Sequence, residues 1–487
     1  MRVAVIGAGP AGLAAAYRLA GSGEDVEVFE SSGQVGGMAR SFRLWGQTVD
    51  LGPHRFFSTD PRVNALWMEV AGRDYRMVDR LTRIYYGGRY YRYPLEPADA
   101  LRKMGVVEAS RCMLSYLKEQ VNPSFPEGSG GTFESWVVGR FGRRLFEMFF
   151  RSYSEKLWGI PCSDLDEDFA AQRIKKFSLG EAAKKAIGLG GAGHKTLVDR
   201  FAYPLGGTGM IYERMADAVR EAGGRVHLGA RVRRVLHQEG SVRGLELADG
   251  DRVGFDHVIS TMPLTLLVRG LGEAPEAVSR AVDSLRFRNT VLVYLNVEGT
   301  DLFPDQWLYI HSPELMAGRL TNFRNWVPEL HGGAGSSILA LEYWCDDEDP
   351  LWAEHEEAQV ARAVRELRAT GLIGDARILD GDVVRVPRCY PVYRMGYKDH
   401  LSAVTSYLSG FSGLTPIGRY GSFKYNNQDH SLLMGILAAE NLRSGTRHDL
   451  WSINTDYECY QEAAEIRETR LGGVEADPVP IPAPSPA

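Results

Sequence analysis

The stretch RVAVIGAGPAGLAAAYRLAGSGEDVEVFE, Arg2 to Glu30, constrains this chain more than any other. A short apolar run leads into Gly7, Gly9 and Gly12, an alanine-rich helical stretch follows, and a second apolar run, DVEVFE, ends on Glu30. That order reads as strand, tight turn, helix, strand, the opening of a parallel sheet that binds a dinucleotide. Gly7 permits the turn, Gly9 lets backbone approach a pyrophosphate, and Gly12 lets the helix pack on the strand. Glu30 falls where an acid can bind a ribose hydroxyl. Arg2 and the small residues Ala14 to Ala16 also allow a secretory leader, but the glycine spacing favours the nucleotide turn.

A second glycine turn comes within ten residues of Glu30. SSGQVGGMARSF carries Gly36, Gly37 and Arg40, which would bring backbone close to the same dinucleotide, and VDLGPHRFFS then supplies Gly52 and His54 in an extended segment. A plain dehydrogenase would continue in alternating strands and helices; this chain does not. The order resembles the flavoprotein superfamily that includes amine oxidases and protoporphyrinogen oxidases, and the resemblance implies FAD as cofactor.

A chain of 487 residues is too long for one compact core. Its pattern predicts an α/β protein: a discontinuous Rossmann-type FAD-binding domain over 1–60, 200–262 and 405–450, a mostly helical insertion over 61–199 with one hairpin at RIYYGGRYYRYPL, and a second, mostly antiparallel sheet domain over 263–404. Val232 is expected beside the adenosine end of the cofactor. The proline-alternating segment DPVPIPAPSPA, within 472–487, reads as a disordered tail. A net charge of −6 gives no nucleic-acid footprint, yet allows a local basic cleft for a phosphorylated small molecule. Five cysteines without a CxxC pair point away from zinc and disulfides, so no metal is expected and a reducing cytoplasm fits. No segment offers the roughly 18 consecutive apolar residues of a membrane span. The oligomeric state is left open.

Three further segments stand out: GPHRFF at Gly52 to Phe57, YSEKLWG at Tyr153 to Gly159, and GRYGSFKYNNQD from Gly418 to Asp429. In this order they resemble the segments of UDP-galactopyranose mutase. The resemblance implies that Tyr153, Trp158, Tyr425 and Asn427 line a nucleotide-sugar site and that His54, Arg419 and Gln428 lie at the flavin. It also implies that Arg173 and Arg288 hold the diphosphate. A guanidinium pair suits that task, because its planar fork stays charged and matches phosphate oxygens. A helix starting near Asp429 or His430 would aim its unpaired backbone donors at the flavin's pyrimidine edge; the plainer alternative is a polar loop capped by Asp429.

The implied reaction is redox-neutral: reduced flavin acts as nucleophile and the pyranose and furanose forms of the sugar interconvert, with NADPH or NADH as an external reductant. Departures stand beside the resemblance. Asn427 replaces an acid, Ser154 replaces a threonine, and DHVISTMPLTLLV looks closer to amine oxidases and desaturases. Three readings follow: a sugar mutase, an oxidoreductase of amine-oxidase type, and a flavoprotein that binds a nucleotide sugar without turnover.

Overall fold

In the computed structural model, residues 1–93, 95, 97–125, 131–168 and 200–454 are described. The strand Arg2–Ile6 is buried from Val3 onward and pairs in parallel with Asp25–Phe29 on one side and His257–Ser260 on the other. Arg225–His227 and Leu414–Pro416 extend the two edges, giving a five-stranded parallel sheet assembled from stretches far apart in the chain. Strands enclosed on both faces need no polar alternation, hence runs such as VAVI and HVIS.

Eight of the eleven residues of the helix Pro10–Ala20 are buried. Against it lies the helix Gln428–Ser444. A Cβ on Gly435 would stand 2.3 Å from the Ala11 carbonyl oxygen, so the alanines of one helix and the glycine of the other set a separation that larger side chains would prevent. A smaller antiparallel sheet, Val232–Gln238, Ser241–Leu247 and Arg252–Gly254, packs against the strand His257–Ser260 of the parallel sheet.

The second large sheet has seven strands, in the order Ile378–Pro391, Phe287–Glu298, Ser336–Cys345, Arg319–Asn322, Trp307–Ile310, Thr82–Tyr86, Arg89–Arg92. All neighbours are antiparallel except Trp307–Ile310 with Thr82–Tyr86. The hairpin that the sequence places inside the helical insertion is thus an edge of this sheet. Its turn uses Gly87 and Gly88 at φ +56° and +72°, as a two-residue hairpin requires. Thr82, Ile84 and Tyr85 are buried there, a burial that an isolated hairpin could not give them. Apart from the strand Tyr75–Asp79, which pairs antiparallel with Arg200–Pro204, the rest of the described insertion is mostly helical, with Pro61–Ala71, Pro97–Met104, Val106–Val121, Phe133–Phe141 and Ser152–Trp158. Arg173 and the 472–487 segment lie outside the described residues.

Asp50, at the end of the short hairpin Ser41–Leu44 and Gln47–Asp50, ties that hairpin to the second sheet. Its buried carboxylate accepts from Ser41 Oγ, from the Tyr203 hydroxyl at 2.6 Å and from the Thr208 N–H at 3.2 Å, while its carbonyl accepts from the hydroxyl of Tyr294 on the second sheet. Burial lifts the Asp50 carboxyl to about 6 despite these donors. Two residues further on, the chain enters the Gly52–His54 segment.

Candidate functional site

The nucleotide turn is built as the glycines require. Gly7 sits at φ +97°, and a Cβ on Gly12 would fall 2.0 Å from the Gly7 carbonyl oxygen. Gly9 is the N-cap of the first helix and brings no side-chain acceptor; Pro10 follows, and the first turn holds no acid. Its leading N–H groups and the positive end of the helix dipole therefore suit an anion placed before it. Glu30 is buried and holds this turn from the neighbouring strand: Oε2 accepts from the Ala8 N–H and Oε1 from the Ser32 N–H, each at 2.8 Å.

The second glycine turn closes on the first. The Gly36 N–H donates to the Ala8 carbonyl at 2.8 Å, and a Cβ on Gly37 would come within 3.1 Å of the Gly9 Cα. Gly36 and Gly37 take φ +100° and +55°, and Arg40 packs against Gly36 while Nη1 reaches the Gly37 carbonyl at 3.4 Å. Next to Glu30, the Gly229 and Ala230 N–H groups donate to the Ser32 and Glu30 carbonyls, and buried Val232 follows two residues later. Two backbone turns in contact, an anion-directed helix end and a buried acid form a cradle that fits a dinucleotide.

The wall continues through the later motifs. The His54 carbonyl accepts from Thr208 Oγ1 at 2.8 Å and from Gln428 Nε2 at 3.3 Å, and Gln428 Oε1 accepts from the Tyr212 hydroxyl at 2.6 Å. Gly52, at φ +100°, lies against the Glu342 carboxylate, where a Cβ would approach to 2.9 Å. His54 Nδ1 is shielded from solvent without a partner among the described residues. Burial, and then the charges of Arg319 and Arg419, press the His54 imidazole down to about 3, so the ring is neutral at ordinary pH.

The last helix begins at Gln428 with Asn427 as N-cap, one or two residues ahead of the sequence expectation. The Asn427 N–H donates to His430 Nδ1 at 3.2 Å, so capping falls to Asn427 and His430, while Asp429 is buried within the first turn. Asn427 itself is exposed.

Beyond the cradle stands a cluster of aromatic rings around arginine. Arg419 Cζ lies 4.3 Å from the ring centre of Tyr425 and 4.9 Å from that of Tyr390, over a pair of rings stacked at 5.3 Å. Its Nε donates to the Cys389 carbonyl at 2.9 Å and its Nη1 to the Asn426 carbonyl at 2.8 Å. Trp158 is fully buried, edge-on to Tyr425 at 5.9 Å and stacked on Tyr393 at 6.1 Å. Tyr153 stacks on His311 at 4.7 Å and meets Trp344 edge-on at 5.6 Å, and Trp344 meets Tyr390 at 6.2 Å. Burial raises Tyr153 and Tyr390 far above the ordinary phenol range, keeping both as neutral hydroxyls.

The structure thus brings His54, Tyr153, Trp158, Arg419, Tyr425 and Gln428 together. Arg288 is placed differently from the sequence expectation. Its buried guanidinium already donates to the Trp344 and Lys156 carbonyls at 2.8 and 3.2 Å and pairs with Asp346 at 2.7 Å, tying the Ser152–Trp158 helix to the sheet. A Cβ on Gly159 would strike it at 2.3 Å, which accounts for the glycine after Trp158. The arginine that faces the cluster is Arg319, which sequence reasoning missed. It pairs with Glu342 through Nε at 2.6 Å and approaches the Tyr390 hydroxyl at 3.4 Å. Tyr390, Tyr393, His311, Trp344 and Glu342 were missed with it. All lie on strands of the second sheet or just after one, and strand pairing between distant parts of the chain brings them together.

Comparison with known proteins matches residues 10–399 to the family described as flavin containing amine oxidoreductase. A zeta-carotene-forming phytoene desaturase of Myxococcus xanthus is 27% identical over 317 residues, 61% of this chain; the match spans only 60% of the desaturase. A coproporphyrinogen III oxidase of Mycobacterium bovis is 27% identical over 459 residues, 86% of this chain and 95% of that protein. Among solved structures, a reduced UDP-galactopyranose mutase superposes with a TM-score of 0.81 at 22% identity, covering 94% of this chain and 98% of the mutase. At that identity the likeness is one of fold.

Proposed function

This chain belongs to the flavin-containing amine oxidoreductases, and from that membership we propose that it is an FAD-dependent enzyme acting on a nucleotide-activated sugar, in a redox-neutral ring rearrangement of the UDP-galactopyranose mutase kind. The observation that carries the reading is Arg419, a part-buried guanidinium seated over two tyrosine rings and, among the described residues, hydrogen-bonded to carbonyl oxygens and to no carboxylate. Its charge is thus placed to balance an anion, and a low-dielectric surround strengthens that attraction. Bound FAD supplies a nucleophilic ring nitrogen when reduced and a hydride acceptor when oxidised.

The chain's own residues bind and orient. Tyr153, Tyr390 and Tyr425 offer hydroxyls and ring faces to a sugar and a flat base, while Arg319, its charge paired with Glu342, keeps Nη1 as a further donor beside Tyr390. Trp158 closes the floor against water. Arg173 is carried forward as a phosphate contact from the sequence resemblance, and NADPH or NADH as the reductant. A second reading, oxidation of a small molecule, is favoured by the desaturase and the oxidase among the sequence relatives.

Calorimetry with UDP tests the binding half of the proposal. Wild type should bind, Arg173→Ala should bind about tenfold or more weakly if its contact is desolvated, and Arg288→Gln should lower thermal stability while leaving UDP affinity within about twofold. Absence of UDP binding in both flavin states would abandon the nucleotide sugar in favour of the oxidoreductase.

A further inference from the structure

The helix Val106–Val121, on the far side of the insertion's own core, carries an apolar stripe that nothing described covers. Val107, Leu114 and Val121 recur every seven residues and are 67%, 66% and 86% exposed, with Val106 at 82% and Leu117 at 49% extending the same face. These five are among only a dozen large apolar side chains exposed in the described residues, and they share one helix. The opposite side is already used: Cys112 is buried against Met148, and Glu119 is buried and accepts from the Ser124 N–H and hydroxyl at 2.8 and 2.7 Å. An exposed apolar face of this kind marks a contact surface.

Charge decides what it contacts. Arg111 and Lys118 border the stripe and are exposed, and Arg102 on the preceding helix is 81% exposed. The acids of the helix face elsewhere: Glu119 is inside, and Glu108 is held by Arg144 with a longer contact to Arg111 at 3.4 Å. In a chain of net charge −6, the described residues of this face present apolar side chains and Ser110 with cations, and no acid, at their border. A second copy of the stripe would supply no complement. Antiparallel pairing about Leu114 sets Arg111 of one copy near Lys118 of the other, and parallel pairing lays both cations over the Leu117 edge.

We propose that Val106–Val121 is a peripheral membrane-docking helix that seats its apolar stripe in an anionic lipid surface, with Arg111 and Lys118 at the level of the headgroups. An amphipathic helix with apolar residues on one face and lysine or arginine at its border lies in the interface plane by this balance of burial and charge. No described helix is long and apolar enough to cross the bilayer, so the attachment is to one leaflet. This inference stands apart from the proposed chemistry.

Flotation of the full-length flavoprotein with vesicles tests it. The protein should rise with phosphatidylglycerol-containing vesicles and stay behind with pure phosphatidylcholine. Leu114→Glu combined with Val121→Glu should abolish flotation, and Arg111→Gln and Lys118→Gln should each weaken it roughly fivefold. Wild-type flavin content and melting temperature in these surface variants establish that each is folded. A wild type that never floats, flotation undiminished by the two glutamates, or a solution dimer that Leu114→Glu splits would each overturn the proposal, the last assigning the stripe to a second copy.

Discussion

An Arg419→Ala enzyme will fold and lose turnover by roughly two to three powers of ten. The side chain holds three things at once: the Cys389 carbonyl, the Asn426 carbonyl and the faces of Tyr390 and Tyr425. Asn426 directly precedes the N-cap of the last helix, so the guanidinium also fixes the approach of that helix to the cradle. Removing a desolvated charged group from a functional contact costs about 2–5 kcal/mol, which spans about 30-fold to several thousandfold. Lysine keeps the charge but cannot bridge two carbonyls while lying flat over a ring, so Arg419→Lys should recover little. Steady-state kcat/KM, with flavin content measured on the same preparations, reads the effect. Turnover within about threefold of wild type would take Arg419 out of the chemistry and leave it as a brace.

Glu30→Ala should be the most damaging single change to cofactor retention. One carboxylate bridges the N–H of Ala8 in the nucleotide turn and that of Ser32 after the second strand, and it stands where a ribose hydroxyl is bound in such sheets. Losing a charge-assisted hydrogen bond of this kind costs roughly 1.5–3 kcal/mol, so FAD affinity should fall by about 10- to 150-fold. Glu30→Gln should lie between, since an amide oxygen can still accept from one of the two N–H groups. Flavin occupancy after gel filtration and equilibrium dialysis gives the answer. Unchanged occupancy in Glu30→Ala would move the ribose elsewhere.

How much of this was legible in the sequence depended on whether a task needed a particular residue at a fixed spacing. Gly7, Gly9, Gly12 and Glu30 were legible because a tight turn, a close helix and a ribose contact each tolerate few residues. Gly36, Gly37 and Gly52 were legible for the same reason, and each takes a positive φ. Arg319 and Tyr390 were not. They sit on strands of the second sheet, and Tyr390 meets both Arg319 and Tyr425 only because Arg319–Asn322 and Ile378–Pro391 enter that sheet from distant parts of the chain. Arg288 was misplaced because an arginine's donors carry no mark in sequence of whether an acid such as Asp346 already holds them. The start of the last helix was displaced by a residue or two because Asn427 and Asp429 are both good caps, and the backbone used the first. The hairpin at Gly87 and Gly88 was recognised as a hairpin, but its place at the edge of a sheet came from pairing with Trp307–Ile310, more than 200 residues away.

A nucleotide-sugar rearrangement at this site would consume no electrons, and one measurement reaches that directly. Anaerobic enzyme, its flavin reduced with dithionite, is incubated with UDP-galactose and a small panel of other nucleotide sugars; the ring form of the sugar is followed by chromatography while reducing equivalents are counted. Many turnovers of pyranose–furanose interconversion are expected for each reductant supplied, with flavin that stays reduced and no activity from oxidised enzyme. No isomer from any sugar, together with oxidised enzyme that bleaches on addition of a small-molecule substrate and needs one acceptor per turnover, would contradict it and establish the oxidoreductase.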